Sequence, residues 1–260
     1  MRNPSMLSFK EWDSKFFDKD FYVLKVDSVS DLVGVREELE ELDARGAFGV
    51  ECQINIRSLD VIPHLEEMGF RLVDSRMEFI THTFRGEVDI QAPVGDFRRY
   101  EDGDWDELAA ITIENFVDNP NFKSRYTNRN LFSREESLRY YLQWHKWVLD
   151  VSPDLFLSWV DGDKYVGFYS ILRLQDAERV IPKYKVGLAA IHPDYRSHNG
   201  QNLMQAWLFR ETSDTDWTTI NSPQLTNTSG LKNNIRSGKE FKTVELFFFR
   251  KNPGLSMGGS

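Results

Sequence analysis

The sequence predicts a mixed, mostly antiparallel α/β sheet flanked by helices, preceded by a smaller N-terminal α/β unit. Three observations predict it. Residues 97–251 read as strand, helix, helix, three strands, helix, strand, helix, strand. The stretch "AAIHPDYRSHNGQNLMQAWLF" (189–209) runs from an apolar strand through a polar loop into an amphipathic helical pattern. Finally, "EEMGFRLVDSRMEFITHTF" (66–84) and "SGKEFKTVELFFFRKN" (237–252) each read as a helix end, then Gly-Phe or Glu-Phe, then a strand. That likeness marks a degenerate repeat, with a half-sized copy in front.

The elements follow in order. FYVLKV (21–26) is a strand, and residues 30–45 form an amphipathic helix that ends before Gly46. GVECQINI (49–56) is a strand, 58–68 a helix, and 71–84 a long strand or a hairpin. EVDIQAPVGD (87–96), with Pro93 and Gly95, is the expected domain boundary, so the units are 1–90 and 97–251. FRRYEDGD is strand then turn, and 104–116 is a helix with Asp104 as its N-cap. Residues 117–133 are polar and long for a plain connection, which marks a functional loop. Residues 134–149 are a helix, and 155–162 with 164–174 form a hairpin turning at Asp161-Gly162. Strand 185–191, helix 198–210, strand 217–222, a weak helix 228–238 and strand 243–251 complete the unit. The tail 252–260 reads as disordered.

The chain has 260 residues and a formal net charge of −9 at pH 7. An acidic chain lacks the phosphate-neutralising surface of a general nucleic-acid binder, so no nucleic-acid partner is expected. The lone Cys52 excludes an internal disulfide and fits a reducing cytoplasm. No apolar run approaches the ~18 residues of a membrane span, and the N-terminus lacks a signal-peptide core, so the expectation is a cytoplasmic protein without a membrane partner. His64, His82 and His145 lie far apart without metal-ligand spacing, so no metal is expected.

The strand-loop-helix reads Ile191-His192-Pro193-Asp194-Tyr195-Arg196-Ser197-His198-Asn199-Gly200-Gln201. It resembles the signature of the Gcn5-related N-acetyltransferases, a strand followed by Val-x-Pro-x-Tyr-Arg-Gly-x-Gly-x-Gly and a helix. The similarity covers roughly 97–251. "FKEWDSKFFDKDFYVLKV" (9–26), "LEEMGFRLVDSRMEF" (65–79) and "ENFVDNPNFKSRYT" (114–127) look like the dTDP-fucosamine acetyltransferase group. The resemblance implies acetyl-CoA as co-substrate and an α/β sheet of that family's kind, with a partial copy in front. A helix N-terminus carries unpaired amides and a positive dipole end, which can receive a pyrophosphate. The expected cofactor contacts are Ile191, Arg196, Ser197, His198, Asn199, Gly200, Gln201, Asn202 and Asn227. Asn199 and Gln201 stand where the family has glycine. Asparagine tolerates left-handed angles, whereas the Gln201 side chain must point away from the cofactor.

Acetyl transfer needs a neutral amine, a stabilised oxyanion and a tolerated thiolate. In the family a splayed strand supplies the oxyanion donor, here a backbone N–H between Leu188 and Ile191, with Leu188 and Ala190 singled out. The leaving thiolate is commonly protonated by a tyrosine on the last helix. In "TNTSGLKNNIRSGKEF" (226–241), Asn227 matches the pattern, but the tyrosine position falls near Asn234–Arg236 and holds no tyrosine. Arg236 is expected to stand in as an electrostatic partner of the thiolate, since a guanidinium delivers no proton at neutral pH. Tyr195 is expected to pack under the loop. In the polar loop, Phe122, Arg125, Tyr126 and Asn128 are the expected acceptor contacts.

The resulting expectation is an acetyl-CoA-dependent N-acetyltransferase acting on an amine, foremost a nucleotide-linked amino sugar of the dTDP-4-amino-6-deoxyhexose type. The alternatives are a catalytically weakened or inactive binding or scaffold protein of the same fold, and an N-acyltransferase for another small amine or a peptide. The expected partner is the small acceptor amine, with a homodimer left open.

Overall fold

A computed structural model describes residues 6–83, 92–174, 183–196, 199–212 and 217–255. The first half contains β1 (Leu7–Phe9), α1 (Glu11–Phe17), β2 (Phe21–Leu24), α2 (Val35–Ala44), β3 (Gly49–Asn55), α3 (Ile62–Glu67) and β4 (Arg71–Thr83). The second contains β5 (Asp96–Arg99), α4 (Trp105–Thr112), α5 (Arg134–Val151), β6 (Phe156–Asp161), β7 (Lys164–Leu174), β8 (Lys183–Ile191), α6 (Gly200–Thr212), β9 (Trp217–Asn221), α7 (Thr228–Arg236) and β10 (Glu240–Lys251). The element order expected for 97–251 is the one observed. Most of the expected linker, and the tail beyond Leu255, lie outside the described residues.

Local chemistry accounts for the main boundaries. Ser133 and Glu136 form a reciprocal capping box at the start of α5. The hairpin between β6 and β7 turns at Gly162, whose φ of 59° suits a residue without Cβ. The helix expected over 30–45 is interrupted at Gly34, also at positive φ, leaving a 3₁₀ turn over Val29–Leu32 ahead of α2. Asp104 does not cap α4 with its side chain. Its carboxylate instead accepts from both Arg98 guanidinium nitrogens, from the Glu101 amide and from Ser158. α4 then runs on through a π-helical turn, Ile113–Val117.

The ten strands of the described residues form one sheet, ordered β1-β2-β3-β10-β4-β9-β8-β7-β6-β5. The order contains a pseudo-twofold. β1 is antiparallel to β2, which is parallel to β3; β7 is antiparallel to β8, which is parallel to β9. β4 leaves the first half to pair with β9, and β10 leaves the second to pair with β3. β4 and β10 meet antiparallel at the centre. The two repeat-like segments are therefore neighbours, and each half lends its last strand to the other.

Period-two alternation then sorts the side chains into three cores. One face carries a core common to both halves, in which Phe17, Phe21, Phe48 and Phe249 join Leu108, Tyr140, Phe156 and Phe168 beneath α1, α4 and α5. The other face carries two separate cores. Leu39, Val50, Ile54 and Phe248 lie under α2 and α3, while Trp159, Tyr169, Met204 and Trp217 lie under α6.

Candidate active site

Among the described residues β8 and β9 share three parallel register pairs, Lys183 with Thr218, Tyr184 with Thr219 and Lys185 with Ile220. Beyond them the strands part. A bulge in β8 accompanies the parting: between the pairs Tyr169–Ala189 and Ile171–Val186, the single residue Ser170 of β7 faces two of β8, Gly187 and Leu188. Ser170 pins the bulge: its Oγ accepts from the Leu188 N–H and donates to the Leu188 carbonyl, each at 3.0 Å. Gly187 has no room for a Cβ, which would lie 2.8 Å from Ser170 Oγ.

This arrangement decides which amides face the gap. The Leu188 N–H is engaged by Ser170, and the His192 N–H donates to Val166 at 2.7 Å. By the alternation of an antiparallel ladder, the Ala190 N–H points to β7 as well. Leu188 and Ala190, the expected donors, are thus turned away from the gap. The N–H groups of Ala189 and Ile191 lie on the open edge.

The loop after β8 folds back through a 3₁₀ turn at Pro193–Tyr195. Tyr195 packs under it as expected, donating to Asp161 Oδ2 at 3.0 Å. Arg196 is exposed, with Nη2 on Asn115 Oδ1 at 2.8 Å and Nε on the Ile191 carbonyl at 3.3 Å. Ser197 and His198 lie outside the described residues. Asn199 adopts φ 57°, the left-handed angle for which asparagine was allowed, and its carbonyl accepts from the Asn202 and Leu203 amides to open α6. Gly200 serves packing: a Cβ there would meet Trp159 Cζ3 at 2.4 Å. The Gln201 side chain turns to α7, where its Oε1 accepts from Asn233 at 3.3 Å. Asn202 reaches Asn199, Asn233 and Ser237, so amide side chains join the first turn of α6 to the end of α7.

On α7, Asn227 caps its own helix by accepting from the Gly230 amide at 2.9 Å. Near the expected tyrosine position stands Asn234, fully buried, bonded through Oδ1 to Asn221 at 2.9 Å and through Nδ2 to the Gly230 carbonyl. Neither amide ionises. Arg236 is exposed and lines a cleft of about 320 Å³ between α6 and the α7–β10 turn; no residue of the open β8 edge lines that cleft.

The loop 117–133 spends its polar groups internally. Phe122 packs on Phe116, and Tyr126 stacks on Tyr140 at 3.8 Å; both are 8 % exposed, so they are core residues and not surfaces for a sugar or base. Asn128 closes a turn by accepting from the Asn130 amide. The Arg125 side chain is only 14 % exposed, lying 2.9 Å from Glu51 and 4.0 Å from Asp74, with its guanidinium over Tyr126 and Phe247.

The same sheet face holds charged residues that sequence reading had passed over. Arg76 pairs with Asp74 at 3.1 Å, Lys242 with Glu78 at 2.6 Å, and Gln53 donates to Glu245. Lys185, on the last β8 residue paired with β9, shares this field. Burial, then Arg76, pulls its ammonium below the ordinary value, against Glu245 and Glu78. Burial pushes the Asp74 carboxyl up despite Arg76 and Arg125, and Asp74 Oδ1 has no hydrogen-bond partner among the described residues. Burial also opposes ionisation of Glu51, but Arg125 and Lys10 outweigh it and hold that carboxyl below its ordinary value. The signal was present in the sequence: Asp74, Arg76 and Glu78 alternate along one face of a strand whose neighbours are central, where apolar residues are the rule. His145 is buried and neutral, its Nε2 2.8 Å from Thr112 Oγ1, and burial lowers it to about 3. Among the described residues no group of histidine, cysteine and carboxylate side chains could hold a metal ion, and no helix is long and apolar enough to cross a membrane.

No family model and no curated protein matches the sequence. Solved structures do match the fold. A GCN5-related N-acetyltransferase from Sphaerobacter thermophilus aligns over 92 % of this chain and 76 % of its own, with 16 % identity and a TM-score of 0.58. One from Kribbella flavida aligns over 92 % and 83 %, with 13 % identity and a TM-score of 0.53. A tandem GNAT protein from the clavulanic acid biosynthesis pathway aligns over 87 % and 71 %, with 10 % identity and a TM-score of 0.52. The chain has the fold of the GCN5-related N-acetyltransferases.

Proposed function

We propose that the chain is an acetyl-CoA-dependent N-acetyltransferase for a small amine, which docks on the charged sheet face beside the β8/β9 gap. The observation that carries this reading is the splayed β8 edge. It presents the Ala189 and Ile191 amides beyond Lys185, the last residue paired with β9, whose ammonium shares its field with Arg76, Glu78 and Glu245.

Acetyl-CoA, when bound, supplies an activated acyl carbonyl and a thiol leaving group of pKa ~8.5. The residues present suit it. The open β8 edge offers N–H donors, and Thr219 Oγ1 on β9 and Ser222 Oγ just past it are buried without hydrogen-bond partners among the described residues. The first turn of α6 begins from the left-handed Asn199, with the Gln201 side chain held away by α7. An amide aimed at the acyl oxygen is worth about 3–4 kcal/mol in the transition state. On the acceptor side, Glu78 and Glu245 draw in a cationic amine. The Arg76 and Lys185 charges beside it favour the neutral, nucleophilic form. Asn234 ionises at no relevant pH, so the leaving thiolate takes its proton from water or from the amine.

The nucleotide-linked amino sugar remains the specific acceptor proposed, on the strength of the front-segment resemblance. A second reading, an inactive binding protein of the same fold, is favoured by one observation: Asn234 stands where the resemblance calls for a phenol. Acetyl-CoA incubated with the protein and a panel of amines, including a 4-amino-sugar nucleotide and a peptide, separates the two. Amine-dependent thiol release with an acetylated product by mass spectrometry supports the enzyme; acetyl-CoA binding without release for any amine supports the binder.

A further inference from the structure

The charged sheet face leaves one cation and one carboxylate unmatched. Its other cations have partners: Arg76 lies 3.1 Å from Asp74, Arg125 2.9 Å from Glu51, Lys10 3.0 Å from Asp13 and Lys242 2.6 Å from Glu78. Lys185 is half-buried and makes no ion pair or hydrogen bond with a described residue. Glu245 accepts from the neutral Gln53 amide at 2.8 Å and makes no ion pair with a described residue.

Register fixes where these two groups stand. Lys185 faces Ile220, and Ile220 faces Ile80, in the row at which the β8/β9 gap begins. Four residues along β8 from Lys185 is Ala189, and four residues back along β4 from Ile80 is Arg76, which faces Glu245 and bridges Gln224. β9 runs parallel to β8, β4 antiparallel to β9 and β10 antiparallel to β4, so these steps all go the same way. Glu245 is therefore level with the open edge that carries Ala189, whereas Lys185 stands at the closed end of the gap, roughly 10 Å off along the strands. Cross-strand partners share a face and steps of two keep it, so Lys185, Arg76 and Glu245 project from one side of the sheet.

A half-buried cation without a counter-charge is costly, and burial already works against the Lys185 ammonium. A plain amine bound at Glu245 leaves Lys185 as it is. A ligand with an amine at one end and an anion at the other satisfies both groups at once. We propose that the acceptor is an amine carrying an anionic group, its amine at Glu245 beside the open β8 edge and its anion on Lys185. This rests on the acceptor face proposed above and names what that face selects. Two sources share the chemistry: a carboxylate, as in an amino acid, and a phosphate ester, as in a phosphorylated or nucleotide-linked amino sugar.

The experiment is calorimetric titration of the full chain, without acetyl-CoA, with matched amines. Amino acids are compared with their carboxamides, and amino-sugar phosphates and a 4-amino-sugar nucleotide with the unphosphorylated amino sugars. At least one anion-bearing amine is expected to bind about tenfold or more tighter than its neutral counterpart, the worth of one charge-assisted contact. A preference among the carboxylate pairs assigns the amino-acid class, and one among the phosphate pairs assigns the amino sugar. Lys185→Gln is expected to abolish the preference while the neutral counterpart still binds, which guards against a variant that merely misfolds. Lys185→Arg is expected to keep most of the preference, and Glu245→Gln to weaken both members of a pair alike. No preference for the anion in any pair, or a preference that survives Lys185→Gln, overturns the proposal. The titration involves no acetyl transfer, so its failure leaves acetyl-CoA binding and thiol release standing as tests of the transferase reading. A protein that binds these amines selectively yet releases no thiol contradicts that reading alone.

Discussion

Ser170 holds Leu188 by both of its backbone groups: one hydroxyl accepts from the N–H and donates to the carbonyl, each at 3.0 Å. That hydroxyl stands in for the ladder partner the bulge removes. Ser170→Ala would leave two partly buried backbone groups without their hydroxyl partner. The expected cost is about 1–3 kcal/mol of stability, read from urea unfolding. A further consequence is a raised KM for acetyl-CoA, because the edge that carries Ala189 loses its anchor. Unchanged stability and KM would show that the bulge is fixed by packing alone.

Gly200 is expected to be irreplaceable for a packing reason. A methyl group there would overlap the ring of Trp159, which is fully buried. Gly200→Ala should displace the first turn of α6, lower stability by about 1–3 kcal/mol and weaken coenzyme A binding together with it. Thermal unfolding and a coenzyme A titration on the same variant check both. Full stability with lost binding would mean that the glycine is needed for approach to the phosphates instead.

Arg125 and Glu78 are expected to behave differently, although both belong to the charged face. Arg125→Ala strips a buried pair from Glu51 and Asp74 and should cost about 3–5 kcal/mol of stability. Glu78→Gln keeps the shape of the side chain and removes one charge. It should raise the acceptor KM about tenfold while leaving the acetyl-CoA KM unchanged. Steady-state kinetics in both substrates, with unfolding curves for both variants, makes the comparison. A Glu78→Gln effect on acetyl-CoA alone would move the acceptor off this face.

The stability profile on the acid side carries the signature of His145. Its folded-state value is pulled to about 3 by burial, from an ordinary 6.5. Between those values the unfolded chain binds a proton that the folded chain does not. Stability therefore falls as pH drops from 6.5 toward 3, by up to about 1.4 kcal/mol per pH unit from this group. His145→Gln should flatten that part of the profile in urea unfolding from pH 7 to 4. An unchanged slope would assign the acid loss to the carboxylates.

Much of this was legible in the residues, and the rest was hidden for identifiable reasons. The strands and helices of 97–251 follow from periodicity and from turn signals such as Asp161-Gly162, and the left-handed Asn199 follows from asparagine's tolerance of that angle. β1 and α1 were not legible: β1 has three residues, and the polar, aromatic α1 gives a weak helical stripe. The exchange of β4 and β10 lies beyond periodicity, which reports that a strand exists and not whom it pairs with. The acceptor loop misled because Phe122, Arg125 and Tyr126 sit in a polar segment yet bury into the common core. Donors on a strand edge are likewise invisible in side-chain identity. The bulge at Gly187-Leu188 decides which amides face the gap, and it rests on Ser170, eighteen residues earlier.

Calorimetric titration of acetyl-CoA into the wild type and into Ala189→Pro asks whether the open β8 edge receives the co-substrate. Proline deletes the Ala189 N–H at a position whose N–H faces away from β7, so the ladder with Tyr169 survives. Saturable binding is expected for the wild type and its loss in the proline variant, with the fold of both intact by circular dichroism. No heat from the wild type with millimolar acetyl-CoA, or undiminished binding by Ala189→Pro, would contradict that expectation.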